Sequence, residues 1–383
     1  MTRSLFTQTE LPFLLVFNNK EEAAYYLNDM EQLVGEKDVL FYPASFRRPY
    51  QIEETDNANV LLRAEVLNRI NSRKKPAVIV TYPEALFEKV VTRKELDKNT
   101  LKVAVNDKIS IDFINEVLFE YEFKRVDFIT EPGEFSVRGG IVDVFSFSND
   151  NPYRIEFFGN EVESIRTFDV ATQLSIETKK KITIIPNVEN SFFQENRESF
   201  LDYISPQTVI FIQNTELLLA DLDKHFGKAE EAFAKLSQEI KRATPEQLFL
   251  NQASFIKRAL DFSVVEWGSK AIFKTLKTFP FHFQPQPSFN KQFDLLLNNL
   301  NENHFNGYKN YLFCSNDGQV KRFHDIFESL DEANAENIRK QYHTIVLPMY
   351  QGFIDDENQI ACYTDHQIFE RYHKFSIKNG YSK

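Results

Sequence analysis

The first 97 residues alternate between short apolar runs and longer stretches with helical spacing. The run PFLLVF (12–17) predicts a buried strand, because a few consecutive apolar residues suit a strand that is covered on both faces. A stretch with helical spacing follows Asn19, a residue type that favours the start of a helix. Two further apolar runs, DVLFYP (38–43) and AVIVTYP (77–83), flank a second helical stretch. This alternation indicates a parallel sheet with helices on its faces.

The pattern changes near residue 97. Short runs of alternating apolar and polar residues extend from Lys102 to about Asn187, which predicts a small α+β domain with antiparallel strands. The run TVIFIQN (208–214) is again typical of a buried strand. We therefore expect one sheet to resume after a β-rich insertion.

These patterns predict an α/β multidomain chain with three domains and one linker. The segment at 278–290 carries three prolines, which is typical of a linker, and helices and strands alternate again after it. The predicted order is a split α/β domain (1–97 and 190–277), an inserted β-rich domain (98–189), the linker (278–290) and a small α/β domain (291–383).

A β-hairpin is predicted by the stretch YRIEFFGNEVESIRTF (153–168). Its two alternating runs flank Gly159–Asn160, and a two-residue hairpin loop requires positive φ angles that both residue types tolerate. Pairing outward from this loop places Arg154 opposite Ile165. Strict alternation then separates two faces of the hairpin.

The predicted apolar face of the hairpin includes Ile155 and Val162, with Arg166 near its edge, whereas the polar face includes Arg154 and Phe158. An exposed aromatic ring beside an arginine is typical of a protein-binding hot spot. The alternative is that Phe158 covers the end of the hairpin or packs under a neighbouring loop. The residue pattern leaves both interpretations open.

Charge changes the picture of possible partners. The chain has a formal net charge of −11, and residues 125–169 contain nine acids and four bases. Binding to nucleic acid needs Lys and Arg to neutralise phosphates, so this balance argues against a DNA-binding surface here. The few arginines are better suited to bidentate pairing with carboxylates of another protein.

Motifs for nucleotide or metal chemistry are not found in the sequence. Only Gly227 is followed by Lys, and neither a Walker A loop nor a GxGxxG fingerprint occurs. The pair Gly139–Gly140, in EPGEFSVRGGIVDVF (131–145), lacks the Lys-Ser/Thr that follows the glycines of a phosphate loop. Instead it favours a turn or bulge beside Arg138. We expect no catalytic residue, metal site or bound cofactor in this chain.

Cysteine usage and hydropathy predict a cytoplasmic protein. The two cysteines, Cys314 and Cys362, cannot form a disulfide framework, which suits a reducing compartment. The start of the chain lacks the apolar core of a signal peptide, and no run of 18 apolar residues predicts a membrane span.

The stretch RVDFITEPGEFSVRGGIVDVFSFSNDNPYRIEFFGNEVESIRTFDVATQLS (125–175) closely resembles the second domain of the bacterial transcription-repair coupling factors (Mfd), a domain shared with the excision-repair protein UvrB. The stretch LLLNNLNENHFNGYKNYLFCSNDGQVKRF (295–323) is similar to the third domain of that family, which has no counterpart in UvrB. The resemblance implies that the split α/β domain is a degenerate P-loop-type domain. It also implies a non-catalytic module that recruits UvrA to stalled transcription complexes.

The same resemblance assigns site residues and partners. The UvrA-contacting positions of the family fall on Arg138, Arg154 and Phe158, and Arg166 lies where UvrB-type domains also keep an arginine. Full-length family members use ATP in motor domains to displace RNA polymerase from DNA, and a C-terminal domain masks their UvrA-binding surface. We therefore expect UvrA as the partner, an intramolecular contact with that C-terminal domain, and DNA and polymerase contacts through other domains.

Compared with the family pattern, the chain begins near the first core strand and ends where the polymerase-interacting domain is expected. We therefore expect a fragment without motor domains. Two rival hypotheses remain. One is a DNA-damage-binding protein, and the other is a nucleotide-dependent, UvrB-like repair protein.

Overall fold

A computed structural model describes residues 2–45, 57–72, 75–188, 197–235, 243–268 and 270–371. Their Cα positions cluster into two compact units. The first unit comprises Met1–Ala23 and Leu40–Phe273, and the second comprises Ala24–Val39 and Lys274–Ile377. Each unit is described by itself below. The division into domains predicted from the sequence, with its boundaries, stays a prediction.

The first part of the chain alternates strands and helices, as its apolar pattern predicts. Its elements are α1 (Thr2–Thr9), β1 (Phe13–Val16), α2 (Lys20–Val34), β2 (Val39–Phe41), α3 (Asn57–Ser72), β3 (Val78–Thr81), α4 (Pro83–Phe87), β4 (Val90–Val91) and α5 (Arg93–Lys98). The Asn19 side chain accepts a hydrogen bond from the Glu22 amide at 2.9 Å, which satisfies one free N–H group at the start of α2.

The next segment is rich in strands. It contains β5 (Leu101–Ala104), α6 (Ile111–Glu120), β6 (Lys124–Arg125), β7 (Glu134–Arg138), β8 (Ile141–Val144), β9 (Tyr153–Phe158), β10 (Glu161–Phe168), β11 (Ser175–Thr178) and β12 (Lys181–Ile184).

The remainder of the first unit returns to alternation of helices and strands. It contains β13 (Arg197–Glu198), α7 (Phe200–Tyr203), β14 (Val209–Ile212), α8 (Thr215–Ala234), α9 (Pro245–Leu248), α10 (Gln252–Ala259) and β15 (Ser263–Glu266). The sequence predicts a long helical tract from Glu216 to about Lys241, and the part of it after residue 235 lies outside the described residues.

A five-stranded sheet combines strands from the beginning of the first unit with strands from its last part. Its strand order is β15-β14-β1-β3-β2, and β1 pairs in parallel with both β14 and β3. Every residue of β1 and β3 is buried, which explains why these strands are apolar except for Thr81 at the end of β3. The predicted parallel sheet is confirmed, and its strand β14 follows the β-rich segment in the chain.

The β-rich segment forms a six-stranded sheet of order β11-β10-β9-β8-β7-β6. Its pairs are antiparallel except β6 with β7, which are parallel. One face of this sheet is apolar, with Phe135, Val142, Ile155 and Ile165 fully buried. The Phe119 ring of α6 meets Phe135 edge to face at 5.2 Å, so α6 covers this face. We call the opposite side of the sheet the outer face.

The predicted hairpin is confirmed, but its register is corrected by a β-bulge. Gly159 has a φ of 62°, as a two-residue loop requires. The register then shifts between Val162 and Ser164, so that Arg166, and not Ile165, lies opposite Arg154. An extra residue in one strand reverses the inward and outward alternation beyond it. Arg166 therefore belongs to the outer face, and its predicted place on the apolar face was wrong.

The second unit has its own mixed sheet. From Lys274 onward its elements include β16 (Phe283–Pro285), α11 (Phe293–Phe305), β17 (Lys309–Cys314), α12 (Asp317–Leu330), α13 (Ala335–Arg339), β18 (Tyr342–Val346), β19 (Phe353–Asp355), β20 (Ile360–Thr364) and α14 (Asp365–Ile368). The sheet order is β16-β19-β20-β17-β18. The stretch predicted as a linker (278–290) thus contributes a strand, β16, which pairs antiparallel with β19.

Candidate protein-binding site

The four predicted site residues share the outer face of the six-stranded sheet. Arg138 is on β7, Arg154 and Phe158 are on β9, and Arg166 is on β10. Successive side chains of a strand alternate between faces, so Arg154 and Phe158 are on one side of β9. The bulge in β10 brings Arg166 to the same side, opposite Arg154.

Asp143 of β8 forms ion pairs with two of the three arginines, Arg138 and Arg154. Arg138 Nη2 donates to Asp143 Oδ2 at 2.5 Å. Arg154 binds the same carboxylate through two bonds, Nε to Oδ1 at 2.7 Å and Nη2 to Oδ2 at 2.9 Å. The carboxylate is buried, and the bond that it accepts raises the pKa of Arg154. Two guanidinium groups therefore share one carboxylate, and the cluster keeps one net positive charge.

The two arginines that share Asp143 differ in their exposure. The Arg154 side chain is only 15% exposed; its guanidinium lies 4.3 Å from the Phe168 ring centre and donates to Gln173. The Arg138 side chain is 43% exposed. Arg138 is thus the guanidinium that a partner can reach, while Arg154 mainly fixes the position of Asp143.

Arg166 is held by a carboxylate of the neighbouring strand. It forms an ion pair with Glu156 of β9, and Ser164 Oγ also donates to Glu156 at 2.5 Å. This arrangement neutralises an acid that lies between Arg154 and Phe158 in the sequence. The Arg166 side chain remains partly exposed, so its outer edge can still meet a partner.

Phe158 projects from the end of the hairpin and is 81% exposed. This exposed fraction excludes the alternative that a neighbouring loop covers the ring. A large exposed aromatic side chain surrounded by charged groups has the composition of an anchor for another protein.

A shallow depression lies beside Arg138, between β7 and the loop that follows β6. Its volume is about 450 Å³. Its lining residues are Arg125, Val126, Asp127, Phe128, Ser136, Val137 and Arg138. We call it the Ser136 depression. Sequence reasoning missed both this depression and the role of Asp143, although an acid between the buried apolar residues of β8 was a usable signal.

Other parts of the described chain offer less chemistry. No group of three His, Cys, Asp or Glu side chains in the described residues is placed to hold a metal ion. Burial raises the pKa of both Cys314 and Cys362 to about 12, so neither thiol ionises readily. Among the described helices, none combines the length and apolar character that a membrane crossing requires.

Comparison with known proteins connects this sheet to a defined domain. The family model described as "UvrB interaction domain" matches residues 101–189, which contain all four predicted site residues.

Three similar proteins are each named "Transcription-repair-coupling factor". The Bacillus subtilis protein is 33% identical over 189 residues, which make up 49% of this chain and 16% of that relative. The Rickettsia bellii protein is 30% identical over 200 residues, covering 52% of this chain and 18% of the relative. The Myxococcus xanthus protein is 30% identical over 176 residues, covering 46% and 15%.

The matched regions are thus a small part of each relative, less than a fifth of its length. They agree with the resemblance seen in the sequence and are consistent with an N-terminal region of such a factor. Residues 101–189 of the chain therefore match the UvrB interaction domain, and about half of the chain is similar to transcription-repair-coupling factors.

Proposed function

We propose that this chain is a protein-recruiting module of transcription-coupled excision repair, and that its outer face binds UvrA. The observation that carries the proposal is the exposed Phe158 ring on the same sheet face as the positively charged Asp143 cluster, within the region that matches the UvrB interaction domain. Partner carboxylates would pair with Arg138 and the outer edge of Arg166. The Phe158 ring would enter an apolar pocket of the partner.

In this proposal the module has no catalytic role. The matches with known proteins cover the UvrB-interaction region and not motor domains. The five-stranded sheet would belong to the degenerate P-loop-type domain of the family, serving as a scaffold that carries the six-stranded sheet. ATP use, polymerase contacts and DNA translocation are attributed to other domains of the longer family proteins.

A calorimetric titration with purified UvrA tests the assignment. Truncation of a central aromatic anchor costs about 2 kcal/mol or more of binding free energy, which corresponds to roughly thirtyfold in Kd. Phe158→Ala is therefore expected to bind UvrA at least roughly thirtyfold more weakly than wild type. Phe305→Ala provides the matched control, because Phe305 is also highly exposed (91%) but lies on α11 in the second unit.

The control variant is expected to bind as wild type does. Equal UvrA affinities for wild type and Phe158→Ala would refute the assignment of the outer face. Tight binding of duplex DNA by the wild-type chain, weakening steeply with salt, would support the rival DNA-binding hypothesis instead.

A further inference from the structure

Ser136 presents an unexplained polar group at the Ser136 depression. Its side chain is 2% exposed, and its hydroxyl has no hydrogen-bond partner in the described part of the chain. A buried hydroxyl without a partner is unfavourable, and such groups are rare in folded proteins. This hydroxyl therefore suits a ligand that supplies the missing acceptor.

The position of Ser136 directs it to the same surface as Arg138. Both residues are on β7, two positions apart, so both are on the outer face of the sheet. Ser136 lies opposite Asp143 in the ladder, and Arg138 bonds to Asp143. The depression thus borders directly on the Asp143 cluster.

Charge at the depression favours an anion. Two arginines share Asp143, so the cluster retains a net positive charge, and Arg138 has further N–H groups beyond the one that bonds to Asp143. Arg125 and Asp127 are both exposed at the rim, and their opposite charges offset each other. The floor therefore combines one unpaired hydroxyl donor with one partly used guanidinium.

Phe128 adds an apolar wall to the depression. Its ring is exposed and lies 5.5 Å from the Arg138 guanidinium, measured to the ring centre. The methylene groups of an Asp or Glu side chain could pack on this ring while the carboxylate reaches the floor. A free inorganic anion would gain nothing from that contact.

We propose that the Ser136 depression is a second recognition subsite, which takes an acidic side chain of the protein bound to the outer face. The carboxylate accepts one hydrogen bond from Ser136 Oγ and one from Arg138, and its methylene groups pack on Phe128. This inference rests on the proposed function, because it extends the same UvrA-binding surface beyond Phe158.

The test is a UvrA titration with Ser136→Ala. A hydrogen bond to a charged group contributes enough that its loss weakens binding about tenfold. The same change removes an unpaired buried hydroxyl from the free protein, so amide hydrogen exchange in β7 and β8 should stay equal or become slower. Ser148→Ala is the matched control: its hydroxyl donates to the Thr183 carbonyl at 2.7 Å, so stability should fall while UvrA affinity is unchanged.

A double variant tests whether both donors contact one carboxylate. If they do, Ser136→Ala combined with Arg138→Gln weakens UvrA binding by clearly less than the product of the two single effects. Fully multiplicative effects would contradict a shared carboxylate and overturn the subsite.

The outcomes separate this inference from the proposed function. If Phe158→Ala weakens UvrA binding and Ser136→Ala does not, the subsite is refuted while the proposed function stands. If neither Phe158→Ala nor Arg138→Gln affects UvrA binding, the proposed function fails, and acetate becomes the probe. Saturable NMR shifts of the Ser136 and Arg138 amides with acetate, but not with acetamide, would then support the subsite, and their absence would refute it.

Discussion

Replacing Asp143 with Asn tests the electrostatic centre of the outer face. The substitution keeps the size of the side chain but removes the charge that Arg138 and Arg154 share. The two guanidinium groups would then repel each other across a neutral amide. The Asn side chain can accept only through its single oxygen, so the bidentate bond with Arg154 is lost.

The expected loss of stability follows from the different burial of the Arg154–Asp143 and Arg138–Asp143 ion pairs. Removing one partner from a buried ion pair costs about 3–5 kcal/mol, and Arg154 with Asp143 approaches that case because both side chains are largely buried. The pair with Arg138 is partly solvated, so it contributes only about 0–1 kcal/mol. We therefore expect Asp143→Asn to destabilise the six-stranded sheet by about 3 kcal/mol, and Arg138→Ala by less than about 1 kcal/mol.

Hydrogen exchange of the backbone amides in β8 and β9 is the appropriate assay. The chain has two compact units, so a global unfolding transition need not report on this sheet. Under conditions where exchange follows the opening equilibrium, about 3 kcal/mol appears as roughly a hundredfold faster exchange. Similar acceleration in Asp143→Asn and Arg138→Ala, or no acceleration in Asp143→Asn, would refute the assignment of Asp143 as the buried centre.

Two further predictions concern the second unit. Burial raises the pKa of Asp29 from 3.8 to about 7, so the folded wild type loses stability as the pH rises through that window. In thermal unfolding, Asp29→Asn should be as stable as wild type at about pH 3.5 and more stable by up to about 4 kcal/mol at about pH 8. A stability difference that does not change with pH would contradict this prediction. Gly352→Ala would place a Cβ against Gln286 and the Cys362 carbonyl oxygen, which should lower the stability by about 1–3 kcal/mol and reduce the melting temperature. A melting temperature equal to that of wild type would contradict this packing.

Buried strands and the hairpin loop could be predicted from the sequence, because each leaves a local signal. The apolar runs around β1, β3 and β14 are typical of a covered strand or a short buried helix. The helical stretches that flank these runs favoured strands. Gly159–Asn160 fixed the loop of the hairpin, since few residue pairs accept its backbone angles.

The bulge in β10 left no such signal. An extra residue, here near Glu163, changes the face of every residue beyond it, yet the local sequence alternates on both sides. The error placed Arg166 inside the sheet, although the resemblance to known proteins already grouped it with the other site residues. A buried Ile165 beside a polar Ser164 was a usable hint, because an isoleucine on the polar face conflicts with its neighbours.

The pairing at Asp143 could not be predicted for a different reason. Which arginines meet a carboxylate depends on the register of three strands, and each register is set by packing between distant segments. Arg138, Arg154 and Phe158 could be named as candidates from the sequence. Only the structure distinguishes the exposed Arg138 from the shielded Arg154.

Site-specific photo-crosslinking tests directly whether UvrA binds through the outer face. Benzoylphenylalanine would replace Phe158 on the outer face or, as the control, Phe119, which is 51% exposed on the opposite side of the same sheet. We expect a covalent adduct with UvrA from position 158 and none from position 119. Adducts from position 119 alone, or equal adducts from both positions, would contradict binding through the outer face.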